Sequence, residues 1–326
     1  MHSRARRLAI TLTAAGLTAG SLSSAAGATA PSNVVARNAT TPAEQAILFW
    51  TPDRLRQATG HDGGLTGSTP PDSKRLNLPS TVGRVFFTLP RTDPRDPRNW
   101  RSCSATSVRS KYRNLVATAA HCVYDTRHNT FYDNWVFIPS YQDGKNPPHG
   151  VYAARTFNAH DGFVVTEDYD YDYAFVNVHN GVKVSWQKTG RSWRPQVQNV
   201  GRLGDNVGGQ GFTWNRSARL NVLSFGYPAG GRAMKHCSGR TRPMPEAKKY
   251  NAQEHVGLAC AFTAGGGPFL YGYKGASHTG YLVGVGSVAW DTDGDGRYDR
   301  ISSPYFNGET YTIYKAAANR PTGNIP

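Results

Sequence analysis

The chain has 326 residues and a formal net charge of +15, with aliphatic and aromatic content that is ordinary for a globular protein. It is therefore long enough to bury a core and fold alone. The Lys and Arg residues are spread along the sequence without a nucleic-acid-binding motif, so we expect a solvated basic face and no nucleic-acid partner.

The first 28 residues have the pattern of a secretory signal peptide. Arg4, Arg6 and Arg7 precede a short apolar run at residues 8–19, and small residues at 26–28 form a cleavage site. These residues hold three arginines and no acid, so their removal would leave a charge of +12. No segment approaches the roughly 20 apolar residues of a transmembrane helix. We therefore expect a secreted, extracellular protein without a membrane span.

Residues 29–81 are rich in Ala, Thr, Pro and Gly, which indicates a pro-segment or arm. One helix is predicted within it, at residues 42–58, and the glycines at 60–64 and the prolines at 70–71 indicate a linker.

From residue 82 onward the sequence changes to short β-type runs separated by turn residues, which favours an all-β barrel or sandwich. A helix at 309–319 is predicted to close this domain at residue 320, leaving 321–326 as a tail. The predicted strands lie at residues 84–89, 104–109, 114–118, 135–139, 151–157, 174–178, 220–227 and 281–290.

All four cysteines, Cys103, Cys122, Cys237 and Cys260, lie in the part expected to be exported, where disulfides are the default. Four cysteines permit three pairings. The sequence-local pairing, Cys103 with Cys122 and Cys237 with Cys260, would close two loops worth roughly 3 kcal/mol each. A zinc site is the competing interpretation, but no Cys-x-x-Cys pair is present.

Several motifs occur in a characteristic order. Thr-Ala-Ala-His-Cys stands at 118–122, Tyr-Asp-Tyr-Ala-Phe-Val at 171–176, and Cys-Ala-Phe-Thr-Ala-Gly-Gly-Gly-Pro at 260–268, with further landmarks at 226–229, 237–239 and 303–306. With these segments the chain resembles the trypsin-like serine peptidases, in the form found among exported bacterial proteins. Residues 49–55 also resemble a pro-segment seen before such domains. The resemblance covers residues 82–318 and implies two six-stranded β-barrels of the chymotrypsin type, a C-terminal helix and a monomer.

The activity that the resemblance implies is endopeptidase hydrolysis through an acyl-enzyme. Such chemistry needs a hydroxyl nucleophile, an imidazole base and a carboxylate that orients the imidazole. The resemblance places the base at His121 and the carboxylate at Asp172, since Asp-x-Ala precedes an apolar strand there. Asp168 and Asp170 lie nearby, and Asp170 is the alternative partner of the histidine.

The nucleophile is missing from this pattern. In the family a serine precedes Gly-Gly-Pro, but Gly265 stands before Gly266, Gly267 and Pro268. Members of the exported type usually carry Gly-Gly-Ser-Ser after the threonine, so this loop is also two residues shorter. Thr263 offers the nearest hydroxyl, but it lies two residues before the nucleophile position. Moving the attacking oxygen that far from His121 would remove most of its catalytic efficiency.

Two further roles follow from the resemblance. The backbone of Thr263, Ala264 and Gly266 can form an oxyanion-type loop whose N–H groups bind a carbonyl or carboxylate oxygen. Ser287 matches the strand that lines the substrate cleft and supports the aspartate.

Asp291, Asp293, Asp295 and Asp299 occupy positions 1, 3, 5 and 9 of a loop with glycine at position 6, which fits a calcium loop. Position 12 is Ser302 rather than glutamate, and a plain acidic turn is the alternative. No other cofactor is implied.

Together these patterns predict a secreted serine-peptidase homologue, a pseudoenzyme that binds a peptide or protein with little or no hydrolysis. One alternative is an active endopeptidase with a displaced nucleophile. The other is a secreted wall- or carbohydrate-binding protein.

Overall fold

A computed structural model of the chain describes residues 33–61, 76–143, 145–190, 192–229 and 231–325. Its strands are β1 Val34–Asn38, β2 Thr59–Gly60, β3 Val82–Thr88, β4 Trp100–Val108, β5 Leu115–Thr118, β6 Tyr124–Asp125, β7 Thr130–Phe131, β8 Asp133–Pro139, β9 Tyr152–His160, β10 Ala174–Val178, β11 Gly181–Thr189, β12 Ser192–Gly201, β13 Gly211–Phe212, β14 Asn221–Gly226, β15 Lys235–Arg240, β16 Arg242–Pro243, β17 His255–Ala259, β18 Pro268–Lys274, β19 Thr279–Val285, β20 Val288–Trp290 and β21 Arg300–Pro304. Its α-helices are α1 Ala43–Phe49, α2 Pro52–Gln57, α3 Asp161–Thr166, α4 Leu203–Val207 and α5 Gly308–Ala318, and 3₁₀ turns lie at Pro97–Asn99, Ala120–Cys122, Tyr169–Tyr171 and Pro245–Tyr250.

Six strands of the first half close into a barrel. They pair in the order β9, β10, β5, β4, β3, β8, and β8 pairs back onto β9. All residues of β3 and β10 are buried, so both faces of these strands are covered. Valine and phenylalanine, which suit a pleated and packed surface, supply much of this core.

The second half contains a five-stranded sheet, β13-β19-β18-β14-β15, and a four-stranded sheet, β16-β17-β21-β20. Val222, Leu258, Phe269 and Ile301 belong to a buried cluster contributed by both sheets. The Cys237–Cys260 disulfide joins β15 to the residue after β17. The predicted all-β architecture is therefore confirmed, with a closed six-stranded barrel in the first half and two sheets in the second.

Residues 33–61 pack in the same compact unit as the barrels. Strand β1 extends the first sheet by pairing with β9. The single helix predicted at 42–58 is wrong, because two short helices are present and Pro52 begins the second one. Thr51 caps that second helix by accepting the Arg54 N–H.

The division into a signal peptide, a pro-segment and a peptidase-like domain stays a prediction. The signal peptide at 1–28 and the linker residues 62–75 lie outside the described residues. Among the residues that the structure describes, no helix has the length and apolar character needed to cross a membrane.

The C-terminal helix predicted at 309–319 is confirmed as α5, which begins one residue earlier. Asn307 and Thr310 form a capping box at its start. The hairpin of β11 and β12, which projects with mostly exposed residues, was not predicted from the sequence.

Candidate active site

His121 lies in the 3₁₀ turn that follows β5. The Cys103–Cys122 disulfide joins this turn to β4, and the Trp135 indole N–H donates to the Cys122 carbonyl at 3.0 Å. Ala120 is completely buried, so the packing leaves little volume for a larger residue. These contacts fix the backbone at His121, while its side chain remains 14% exposed.

Asp172 faces His121 from the end of the 3₁₀ turn that precedes the neighbouring strand β10. β5 and β10 are antiparallel with Thr118 opposite Ala174, and this register brings the residues beyond the two strand ends together. The fully buried Asp172 carboxylate accepts the His121 backbone N–H at 2.8 Å and lies 2.7 Å from His121 Nδ1. An ionised carboxylate only accepts hydrogen bonds, so Nδ1 donates and Nε2 is left as the proton acceptor.

The surroundings of Asp172 keep it ionised. Burial alone would raise the pKa of this carboxyl, but attraction to His121 and hydrogen bonds from His121 and Ser287 hold its pKa below the ordinary value. The Ser287 hydroxyl donates to Asp172 at 2.5 Å. His121, Asp172 and Ser287 thus form one hydrogen-bonded system.

The two neighbouring aspartates have other partners. Asp170, the alternative to Asp172, accepts the backbone N–H groups of Gln253 and Glu254 at 2.7 Å each. Asp168 accepts the Asp170 N–H at 2.9 Å and so caps the 3₁₀ turn. Both carboxylates hold the loop that delivers Asp172.

Residues 264–267 form a tight turn. The Gly267 N–H donates to the Ala264 carbonyl at 2.8 Å, and Gly266 has a φ of +77°. A type II turn requires such a positive φ at its third residue, which favours glycine. A Cβ on Gly266 would lie 2.1 Å from Thr118 Oγ1 and 2.2 Å from the Ser104 carbonyl oxygen. The turn is therefore pressed against the first barrel.

Gly265 is held in this turn beside the strand that carries Cys103. Its carbonyl accepts the Ser104 N–H at 2.8 Å, and it lines the same pocket as His121. Glycine brings no hydroxyl to this place. Thr263 also lines the pocket and is 7% exposed.

The pocket around Gly265, which we call the Gly265 pocket, has a volume of about 310 Å³. Apart from two histidines, the described residues that line it carry no charged side chain. They are His61, His121, Tyr169, Tyr250, Thr263, Ala264, Gly265, Ser287, Val288, Ala289, Tyr298 and Ile301. An uncharged side chain of a ligand is therefore the best match for this pocket.

Neither a protein-family model nor a curated protein matches the chain. Solved structures do match it. The protease Anisep from Arthrobacter nicotinovorans is 25% identical with a TM-score of 0.58, covering 75% of this chain and 98% of that one. The thermostable serine protease AL20 from an extremophilic microorganism is 23% identical with a TM-score of 0.58, covering 74% and 98%. A Glu endopeptidase is 16% identical with a TM-score of 0.51, covering 80% and 99%.

The fold is that of the chymotrypsin-type serine peptidases. Within this chymotrypsin-type fold, the first barrel supplies His121 and Asp172, and the second half supplies Gly265 and Ser287. The structure therefore brings His121, Asp172, Gly265 and Ser287 together, and their catalytic roles are proposals. The Gly266 N–H, which the sequence assigned to the oxyanion loop, instead donates to the Gly286 carbonyl at 2.7 Å.

The acidic loop of this chymotrypsin-type chain is only partly arranged as predicted. The carboxylates of Asp291, Asp293 and Asp295 lie within 4.8 Å of one another. Asp299, the fourth predicted ligand, instead accepts hydrogen bonds from the N–H and hydroxyl of Thr292. Like Asp299, each of these three carboxylates accepts a hydrogen bond from a backbone N–H of the loop, and calcium remains a proposal.

Sequence reasoning missed His61. The sequence predicted a linker at this residue, but the structure places its ring 5.8 Å from the His121 ring, with an angle of 18° between the planes. Strand β2 brings it there through a parallel pairing with β4, about 40 residues further along the chain. No local pattern signals a pairing at that distance. Tyr169, Tyr250 and Tyr298 were also missed, because they come from three segments that are distant in sequence and meet only at this pocket.

Proposed function

We propose that this protein is a secreted serine-peptidase homologue that binds a peptide or protein segment in its cleft with little or no hydrolysis. The observation that carries the proposal is Gly265, which lines one pocket with His121 while the His121, Asp172 and Ser287 system is retained.

The chemistry fails at its first step without a nucleophile. His121 Nε2 can accept a proton, but Gly265 has no hydroxyl from which to take one, so no acyl-enzyme can form at this residue. Triad members act as a unit, so the loss of the serine costs about as much as the loss of the whole triad. Only weak residual catalysis by binding and polarisation is expected.

Binding does not need the missing hydroxyl. Val288 and Ala289 line the Gly265 pocket and belong to β20, the end strand of its sheet among the described residues. An extended peptide can add to such an edge and place one side chain in the pocket. The neutral lining, with Tyr298 and Ile301, favours an uncharged side chain.

The proposal includes export and processing. Residues 1–28 would act as the signal, residues 29–81 as a pro-segment or arm, residues 82–320 as the peptidase-like domain and 321–326 as a tail. The two disulfides support an oxidising destination. Sequencing the amino terminus of the secreted protein tests the cleavage after residue 28 and shows whether residues 29–81 remain attached.

The test of the function is a comparison of the natural chain with Gly265→Ser on denatured casein. We expect no hydrolysis by the natural chain and measurable hydrolysis by G265S, or by G265S with two serine-loop residues inserted. His121→Ala in the active variant is the control and should abolish the activity. Hydrolysis by the natural chain that disappears in Thr263→Val would instead establish the displaced-nucleophile alternative.

Binding to a wall or carbohydrate polymer is a second candidate, favoured by the β11–β12 hairpin. Its register pairs Trp186 with Pro195 and Lys188 with Trp193, so both tryptophans lie on one face, and both are exposed. Exposed aromatic faces next to cations suit a polymeric ligand. Retention on purified bacterial wall that is lost in Trp186→Ala would support this candidate, and retention equal to that of an unrelated basic protein would contradict it.

A further inference from the structure

A second pocket, of about 420 Å³, is enclosed by helices α1 and α2, the loop at 141–151 and strand β11, and we call it the Trp50 pocket. None of the residues that line it lines the Gly265 pocket. Its volume lies within the range of roughly 300–1,000 Å³ that is typical of ligand sites. The Trp50 pocket is therefore a cavity of ligand size outside the cleft.

The buried wall of the Trp50 pocket is apolar. Trp50 and Leu55 are each 6% exposed, and Tyr141 is 4% exposed. The indole N–H of Trp50 already donates to the Asn134 carbonyl at 2.6 Å. The Tyr141 hydroxyl donates to the Asp143 carboxylate at 3.3 Å. This wall thus presents rings and aliphatic carbon, which suit a large apolar side chain.

The opposite wall of the pocket is the edge of β11. Five consecutive residues, 182–186, line the pocket, whereas β12 contributes only Gln198. Successive side chains of a strand point to opposite faces of the sheet. A cavity that contacts five residues in a row therefore lies beside the edge of the strand rather than on one of its faces.

Pairing on this edge of β11 stops after one residue. The Val151 N–H donates to the Val182 carbonyl at 2.9 Å, and the Val182 N–H donates back at 3.0 Å. The chain before Val151 turns away, because the Gly150 N–H donates to the Pro147 carbonyl and Gly150 has a φ of +89°. Pro147 and Pro148 line the pocket and have no N–H to donate. Within the described residues, β11 has no strand partner besides β12.

The register shows which backbone groups this leaves open. Val182 directs its N–H and carbonyl away from β12, and alternate residues of an antiparallel pair point the same way. Val184 and Trp186 therefore direct theirs toward the open edge. The outward positions on β12 are Val197, opposite Val184, and Pro195, opposite Trp186. Proline obstructs strand addition, so β11 offers the better edge of this hairpin.

The charge at the Trp50 pocket is positive. Lys145 and Lys183 are among the described residues that line it, and none of those residues is acidic. Opposite charges across an interface steer the partner and fix its register. The pocket is thus complementary to an acidic residue that follows or precedes an apolar one.

We propose that the Trp50 pocket and the open edge of β11 form a second docking site, for an extended segment of a partner protein. The segment adds as a strand beside Val184 and Trp186, places a large apolar side chain in the pocket, and carries an acidic residue near Lys183. A fatty acid would also match an apolar pocket with lysines, but it has no backbone to pair with β11. The site goes beyond the proposed function, because it lies outside the cleft.

The experiment uses the full exported chain and two proline variants, each immobilised, and a mixture of N-acetylated octapeptide amides with randomised sequences. Val184→Pro removes an N–H from the open edge of β11. Val197→Pro is the matched control, because the same residue type lies directly opposite, with its N–H on the other edge of the hairpin. Retained peptides are identified by mass spectrometry. We expect a set that the natural chain and V197P retain and V184P loses, rich in Val, Ile and Thr with one large apolar and one acidic residue.

Calorimetry on the best peptide of this set tests strand addition directly. N-methylation of alternate residues that face β11 should weaken binding at least about tenfold, because backbone hydrogen bonds are lost. N-methylation of the intervening residues should change the affinity by less than about threefold.

A charge exchange keeps the test independent of the proline variants. Lys183→Glu should weaken binding of the acidic peptide by about fivefold, because attraction becomes repulsion at an exposed position. Replacing the acidic residue of the peptide by lysine should restore the affinity for K183E to within about threefold of the original.

The possible results differ from one another. Peptides that all three chains retain equally belong to the cleft, so their presence without a V184P-sensitive set overturns the inference and leaves cleft binding established. Equal loss in both proline variants, with no recovery in the charge exchange, assigns the effect to the hairpin fold and overturns it as well. Binding of oleate to the natural chain without any V184P-sensitive peptide would identify a lipid pocket and contradict the proposal.

Discussion

Replacing Trp50 by alanine should destabilise the protein by about 3–5 kcal/mol. The side chain is only 6% exposed, and its ring packs against Phe86 and Trp100 with centroid distances of 5.5 and 6.3 Å. Its indole N–H donates to the Asn134 carbonyl at 2.6 Å. The substitution therefore removes buried aromatic surface that joins residues 33–61 to the first barrel and leaves that carbonyl without its donor.

Differential scanning calorimetry converts this loss into a temperature. Unfolding entropies of about 2.1 cal/mol/K per residue give about 0.6 kcal/mol/K for a unit of roughly 290 residues, so the melting temperature should fall by about 5–8 °C. Trp193→Ala is the matched control. This tryptophan is 63% exposed on the hairpin, and its replacement should change the melting temperature by less than about 1 °C.

The two variants decide whether the amino-terminal arm is part of the folded unit. If Trp50→Ala lowers the melting temperature no more than Trp193→Ala does, residues 33–61 do not dock as described.

Three further predictions concern stability. Burial lowers the pKa of His160 and His255 below 6.5, so the unfolded chain binds more protons as the pH falls, and stability present above pH 6.5 should be lost below it. Thermal unfolding at pH 7.5 and 5.5 checks this, and a melting temperature that does not fall at pH 5.5 would contradict it. Calcium at 100 times its dissociation constant should stabilise the protein by about 2.7 kcal/mol through the acidic loop, and Asp293→Asn should weaken that effect; an unchanged melting temperature after chelation speaks against the site. Gly266→Ala should lower the melting temperature far more than Gly272→Ala, because both have positive φ but only Gly266 has atoms within 4 Å of a new Cβ; equal shifts would show that crowding does not matter there.

Local and strongly patterned features were predictable from the sequence. His121 lies in one short turn with Ala119, Ala120 and Cys122, so residues that are adjacent in sequence are also in contact in the structure. Helix α5 was predicted to within one residue for the same reason, since its capping residues and spacing are local. Both disulfides also follow the sequence-local pairing.

Features created by distant pairings were not predictable. His61 reaches His121 only because β2 joins β4, and no spacing within residues 29–81 signals that contact. The hairpin of β11 and β12 is a different case, because it is local in sequence. Apolar and polar residues alternate on both sides of Gly190, a pattern typical of two strands joined by a turn. The predicted helix at 42–58 was wrong at Pro52, where a proline in the first turn marks a new start rather than a continuation.

The most direct test of the central claim is intact-mass analysis of the secreted natural chain after exposure to an excess of a fluorophosphonate probe. Such probes modify a hydroxyl that a neighbouring histidine activates, and Gly265 offers none. We predict an unchanged mass, with a single adduct appearing in the G265S variant that hydrolyses casein. A stoichiometric single adduct on the natural chain, lost in His121→Ala, would contradict the account.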